Sequence, residues 1–414
     1  MHESAPTPPT YAPSLISRTG FGYFPLALVA RLPFAMMVVG VLTLVVAARD
    51  SMQLGGIVSA TVGVGSAIFG PFVGAAADRF GQRPVILATA AAYGSALVAL
   101  AAVAYSPAPD WVMLAIAFAL GAVSPQPSSM SRSRLVVIIQ NFIAPERRGR
   151  LISRVLAYES AVDEVIFVFG PVLVGVLAML FGAATPIYAA AGLTIVFVTM
   201  FALHRTSAPP KSQEERAETL APASELARPA LLAVILGIGG VGMVFGATLT
   251  SLTAFMQGLG APEAAGLFYG IMGIGSAVLA IAVSFFSPRF SLRYRWIVFA
   301  ALVVAGCAII AIADSTGAIA LGLAVTGTGI GPLLVTLFTL GAIRSPEGRS
   351  ATVMTMLGSG IVLGQSLAGA VSGALAENAG IGASLGLCFF AALVPFAAGL
   401  VNWILTPPKS SRSA

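Results

Sequence analysis

Residues Tyr158–Gly175 read YESAVDEVIFVFGPVLVG. The stretch lies inside a long apolar segment, yet it carries three carboxylates, Glu159, Asp163 and Glu164. Gly170 and Pro171 follow, then Gly175. An ionisable group inside a membrane span costs roughly 2.5–3.5 kcal/mol or more, so each such group marks a candidate functional site. Three acids on one span need a cationic partner, a water-filled cavity or a proton.

The rest of the chain supports reading that segment as a span. Of 414 residues, 57% are hydrophobic and only 9% charged, with a mean hydropathy of +0.94. Soluble domains carry about 25% charged residues, so the composition describes an all-α, multi-pass membrane protein. The net charge of +6 is concentrated in short loops, which is a topology signal and no sign of a nucleic-acid partner. Cys307 and Cys388 both fall in apolar runs, which argues against a structural disulfide. His2 and His204 are isolated, and no metal-ligand spacing is present. The first twenty residues are rich in Pro, Ser and Thr without the basic and apolar regions of a signal peptide, and read as a cytoplasmic tail.

Twelve spans can be read, at about 21–47, 54–77, 84–105, 111–137, 151–181, 186–203, 229–256, 264–286, 296–313, 318–342, 351–376 and 383–405. They imply a tail over 1–20, a six-helix bundle over 21–204, a central polar loop over 205–228, a second bundle over 229–405 and a tail over 406–414. Arginines crowd the loops after even-numbered spans: Arg79 and Arg83, Arg147, Arg148 and Arg150, Arg289, Arg293 and Arg295, then Arg344 and Arg349. The opposite loops hold Arg49 and little else basic. The positive-inside bias therefore puts both termini in the cytoplasm, in a cell inner membrane. Trp111, Trp296 and Trp403 fall at span ends, where interfacial rings are expected.

The halves look like repeats. Pro145–Arg150 reads PERRGR before span five, and Pro346–Arg349 reads PEGR before span eleven. The offset from Arg150 to Gly170 equals that from Arg349 to Gly369, so span eleven is a weak copy of span five. The copy has lost the acids, with Val362 and Leu363 where Asp163 and Glu164 would fall. Duplication of this kind places a transport site between the halves near the midplane.

The loop after span two, Gly74–Arg83, reads GAAADRFGQR. A positive-inside turn explains Arg79 and Arg83 but not Asp78 or the spacing of Gly74 and Gly81. Here the chain resembles the major facilitator superfamily, whose hallmark between helices two and three is G-x-x-x-D-R-x-G-R-R. The match departs only at Gln82, which replaces the first basic residue of the closing pair. With twelve spans and duplicated halves, the resemblance covers nearly the whole chain. It implies two pseudo-symmetric six-helix bundles rocking about a central site, with Asp78 turned toward the start of helix eleven, around Arg349 to Ala351. A carboxylate at a helix N-terminus is favoured by roughly 0.3–1 kcal/mol, so that contact would latch the cytoplasmic side. The loop Ser287–Arg295 keeps arginines but not the Asp–Gly pattern, which makes the latch one-sided. Gly170, Pro171 and Gly175 resemble the fifth-helix motif of the superfamily's antiporters, although its upstream glycines are missing, with Ala161 and Val165 in that region. Ordinary helix packing explains these residues as well.

Glu159 and Asp163 are four apart and share a helix face, whereas Glu164 is rotated by about 100° from Asp163. Arg31 lies at similar depth in span one and is a candidate partner for either acid. The four residues could form a proton relay, with Asp163 first and Glu164 second as titrating group, or a permanent ion-pair cluster. Arg31 could instead clamp a solute anion. Arg132 and Arg134, toward the cytoplasmic end of span four, are possible further charge partners but read as snorkelling or docking the loop. Spans seven to twelve contribute no charge by these boundaries. Phe34, Tyr158, Phe245, Thr248 and Gln365 are candidate substrate contacts, in an apolar-walled site suited to an amphipathic solute. No phosphate-binding loop is present, so the proton gradient, with no cofactor or metal, is the expected energy source. The reading is a monomeric, non-enzymatic secondary transporter, resembling the proton-coupled efflux branch and exporting a drug or metabolite. The alternative is an importer, by proton symport or uniport, of an organic anion held by Arg31.

Overall fold

The computed structural model describes residues 14–207, 220–260, 264–287 and 289–406. Parts of the expected tails and of the central loop, 1–13, 208–219 and 407–414, lie outside the described residues. Among those described, the chain is all-helical, and twelve helices are long and apolar enough to cross a membrane. In the first half they are α1 (Tyr23–Arg49), α2 (Leu54–Phe80), α3 (Gln82–Ala104), α4 (Asp110–Phe142), α5 (Pro145–Phe181) and α6 (Thr185–Leu203). In the second they are α7 (Pro229–Gly258), α8 (Ala264–Phe285), α9 (Leu292–Ala311), α10 (Thr316–Arg344), α11 (Ser350–Asn378) and α12 (Ile381–Leu405). Large apolar side chains such as Met179, Leu267, Ile274 and Ile404 stand exposed on the outer surface. In water that surface would drive association; in lipid it is solvated.

The packing shows the two-fold relation. Within the first half α1 packs on α5 and α6, α2 on α4, and α3 on α6. Within the second, α7 packs on α11 and α12, α8 on α10, and α9 on α12, which is the same set of pairs shifted by six. Between the halves, α2 meets α11 and α5 meets α8; α4 meets α11 and α5 meets α10. Each cross-contact is the pseudo-symmetric image of another.

Two helices are interrupted where the chemistry lies. In α1 the helix breaks between Val29 and Leu32, because Pro33 offers no N–H to the carbonyl four residues back. Arg31 caps the second piece. In α4 the helix stops at Ala122 and restarts at Pro127, with Gln126 in the left-handed region at φ 53°. Pro125 and Pro127 flank that residue. A span fading near 137 is thus corrected to two shorter helices, the second reaching Phe142. The helix α5 begins at Pro145, six residues earlier than the apolar run, and continues unbroken through Pro171. Trp296 departs from the interfacial expectation. The helix α9 starts at Leu292, so Trp296 lies a full turn inside, fully buried, donating from Nε1 to the Pro395 carbonyl at 2.9 Å.

Candidate functional site

The break in α1, the second piece of α4 and one face of α5 bring together a compact ionic cluster. Arg31 ion-pairs with Glu159 through Nη2 and donates from Nη1 to Asp163 Oδ1 at 2.8 Å. Arg132 donates to the other Asp163 oxygen at 2.6 Å, and the Ser128 hydroxyl, 2.8 Å from that oxygen, also accepts from Arg132 Nη1. Glu159 is completely buried; its second oxygen accepts from Ser131, whose hydroxyl is 2.9 Å from that of Tyr23. Two guanidiniums and two carboxylates neutralise one another, each with further hydrogen bonds, which offsets much of the cost of burying the charges, although Nε of Arg31 and of Arg132 has no partner among the described residues.

Arg132 and Arg134 do not snorkel. Both are 3% exposed, because the broken helix turns this segment into the bundle. Arg132 pairs with Asp163 and lies 3.8 Å over the Phe338 ring of α10, in the other half. Arg134 has no carboxylate partner among the described residues. It donates to Gln82 Oε1 at 3.1 Å, to the Phe201 carbonyl and to Thr206 at the start of the central loop, and stacks on Phe201. Gln82 explains itself here. It is buried and presents its oxygen to Arg134, so a basic side chain at 82 would set two cations face to face.

Glu164 stands apart. It crosses to the second half and accepts a hydrogen bond from Ser276 of α8 at 2.8 Å. It makes no ion pair among the described residues.

The latch geometry is explicit. Asp78 Oδ1 accepts from the Ala351 amide at 3.0 Å, and Oδ2 accepts from the Thr352 amide at 2.7 Å and its hydroxyl at 2.6 Å. All three donors belong to the first turn of α11, whose opening amides have no helical partner. Gly74 makes this approach possible, since a Cβ there would lie 2.0 Å from Thr355 Oγ1. Gly81 turns the chain into α3 at φ 89°, a region that favours glycine. Arg79 and Arg83 are exposed, the former beside the Phe80 ring.

A family model for the Major Facilitator Superfamily matches residues 19–368. The chain belongs to that superfamily. A search of curated proteins finds no match. Among solved structures, the human organic anion transporter TETRAN superposes with a TM-score of 0.71 at 19% identity, covering 94% of this chain and 100% of that one. A bacterial homologue of the iron transporter ferroportin in its outward-facing state gives 0.71 at 14%, covering 94% and 98%. The Escherichia coli fucose:proton symporter FucP gives 0.66 at 14%, covering 92% and 99%. At these identities the likeness shows the fold. The protein is a membrane transporter, not an enzyme, with a small-molecule substrate and the bilayer as its solvent.

Other expectations for this superfamily member sort by contact. Gly170 packs α5 on α1, with its would-be Cβ 2.8 Å from Ala35 Cβ, whereas nothing lies within 4 Å of one at Gly175. Of the suggested solute contacts, Thr248 is 1% exposed and directs its hydroxyl to Cys388 inside the second bundle, which removes it from any cavity wall. Phe34 packs edge-on to Phe167 and Tyr158 to Phe24, while Phe245 and Gln365 are half-buried. The sequence reading missed Ser128, Ser131, Tyr23 and Ser276. The run Ser128–Arg134, SSMSRSR, in an otherwise apolar span was the signal for the first two.

Proposed function

We propose that this transporter is a proton-coupled antiporter exporting a small amphipathic compound by alternating access. Glu164 carries the reading. It is an acid at the interface of the two bundles, hydrogen-bonded across it to Ser276, with no cation paired to it among the described residues. A partly buried carboxylate without a cation can take a proton or accept a cationic group from a solute. Proton and solute then exclude each other at one site, which is the requirement for exchange. The solute class that fits is a lipophilic cation or a neutral amphipath that displaces the proton through contacts to the apolar wall. The arginine-rich face, with both termini, is assigned to the cytoplasm of an inner membrane by the charge bias. The protein works as a monomer on the proton gradient, without a cofactor.

The competing reading, import of an organic anion clamped by Arg31, draws on the activity named for the human structural neighbour. The geometry of Arg31 counts against it, because both terminal nitrogens are committed to Glu159 and Asp163. The test is flux in proteoliposomes under an imposed pH gradient with lipophilic cations, neutral drugs and organic anions. Solute movement opposite to protons, abolished by Glu164→Gln while solute–solute exchange persists, is the expected result. Movement of an anion together with protons would replace antiport by symport. Flux indifferent to the gradient would leave the acids with a structural role.

A further inference from the structure

Under the two-fold relation, the α2–α11 contact that holds the latch has an image where the end of α8 meets the start of α5. The image differs in what fills it. On the α2 side Asp78 reaches the first turn of α11. On the α8 side, the loop 287–295 holds no carboxylate in its sequence. In its place is a cleft of about 690 Å³ between the halves. Arg150, Ser153 and Arg154 line it from α5, Arg295 from α9, and Phe285 and Ile343 form apolar edges.

The register of the cleft is that of the latch. The repeat that aligns Arg150 with Arg349 also aligns Ser153 with Thr352, whose hydroxyl binds Asp78. The amides equivalent to those of Ala351 and Thr352 are spent, because α5 begins at Pro145 and they lie within the helix. Side chains must therefore hold any anion here. Arg150 and Arg154 are exposed and make no ion pair among the described residues. Arg295 is only 7% exposed; its Nε and Nη2 bond the Phe290 and Ser287 carbonyls, which fixes its guanidinium in the cleft wall. Glu146 also lines the cleft, so three cations face one acid. Phe285 and Ile343 are 82% and 59% exposed, as side chains facing acyl chains would be.

We propose that this cleft binds the phosphate of an anionic phospholipid from the leaflet on the arginine-rich face. The phosphate takes the part in the second half that Asp78 plays in the first. Arg150, Arg154 and Arg295 supply the charge, Ser153 a hydroxyl donor, and Phe285 and Ile343 the beginning of the acyl path. Bridging α5 to α8 and α9, the lipid fastens the halves on the same face as the latch. The inference stands independently of transport direction and coupling.

The test is binding of phosphatidylglycerol, against phosphatidylcholine, to delipidated full-length protein, counted by native mass spectrometry over a lipid titration. The wild type is expected to prefer phosphatidylglycerol. Each cation near such a headgroup is worth about fivefold, so Arg150→Ala with Arg154→Ala should weaken binding about thirtyfold. The doubly lysine-substituted protein should retain it, which separates lost charge from lost fold. Ser287→Asp, adding a carboxylate to the cleft, should weaken binding as well. Equal binding of the two lipids, or an unchanged affinity in the double alanine variant, would overturn the proposal. Inorganic phosphate displacing the lipid at similar concentration would assign the cleft to a soluble anion instead.

Discussion

Asp78→Asn tests the latch most directly. The carboxylate now accepts from two amides and one hydroxyl at 3.0, 2.7 and 2.6 Å. An asparagine keeps one oxygen and turns an NH2 group toward the remaining donors. The variant forfeits at least one bond to a charged acceptor, about 1.5–3 kcal/mol, and the charge–dipole attraction, about 0.3–1 kcal/mol. The closed state of the arginine-rich face should lose about 2–4 kcal/mol, a shift of roughly 30- to 1,000-fold in the ratio of closed to open molecules. Spin labels at Gly149 and Glu347, exposed on opposite bundles at that face, would report this as a second, longer distance population. Solute binding should persist while the transport cycle slows. If the distance distribution of the variant matches the wild type, the contact does not hold the gate and the energetic argument fails.

Gly74→Ala should reproduce the opening, because its Cβ would fall 2.7 Å from the Ala351 carbonyl as well as on Thr355, whereas Gly175→Ala should be silent in the same distance measurement. Gln82→Arg, which restores the superfamily's basic residue, should lower the melting temperature by facing Arg134, and adding Arg134→Gln should recover it. Glu159→Gln should cost about 3–5 kcal/mol in denaturation, since it leaves two buried guanidiniums, Arg31 and Arg132, sharing the single carboxylate of Asp163. Glu164→Gln should cost under about 1 kcal/mol, because an amide oxygen still accepts from Ser276. His204 lies just beyond α6, where burial first, then Arg134 and Arg205, hold its pKa below the ordinary value. The unfolded chain therefore binds the proton more readily, and stability should fall as pH drops below about 6.5. His204→Gln should flatten that slope in a melting series.

The twelve spans, their duplication and the loop motif were legible because each rests on local signals: apolar length, arginine placement and a fixed glycine–carboxylate spacing. The pairing of Arg31 with both Glu159 and Asp163 was partly legible, since the acids share a face and Arg31 lies at their depth. What the pattern hid was tertiary. Arg132 and Arg134 sit near the end of a span, where snorkelling is the ordinary outcome; only the break at Ser124–Gln126 turns them inward. Trp296 looked interfacial because the apolar run begins with it, while the helix begins a turn earlier. Thr248 looked like a solute contact because hydroxyls on an apolar helix are silent about which side they face.

The same geometry is the reason to propose Glu164, ahead of Asp163, for the coupling role. Arg31, Arg132, Glu159, Asp163, Ser128 and Ser131 all belong to the first bundle. When the halves part as rigid bodies, every ion pair and hydrogen bond in that cluster travels with the first bundle, and what the cluster loses is the stacking of Arg132 on Phe338. Only polar contacts that cross between bundles change environment, and Asp78 with α11 and Glu164 with Ser276 are two of them. One is built to hold a charge, with three donors at a helix N-terminus. The other offers its carboxylate one hydroxyl. Glu164, partly buried at the seam between the halves, changes its surroundings when they move, and under the proposed antiport its protonation would weigh on the equilibrium between the two states. In the proposed cycle protonation at Glu164 biases closure, while the Asp78 contact sets how firmly the closed face holds.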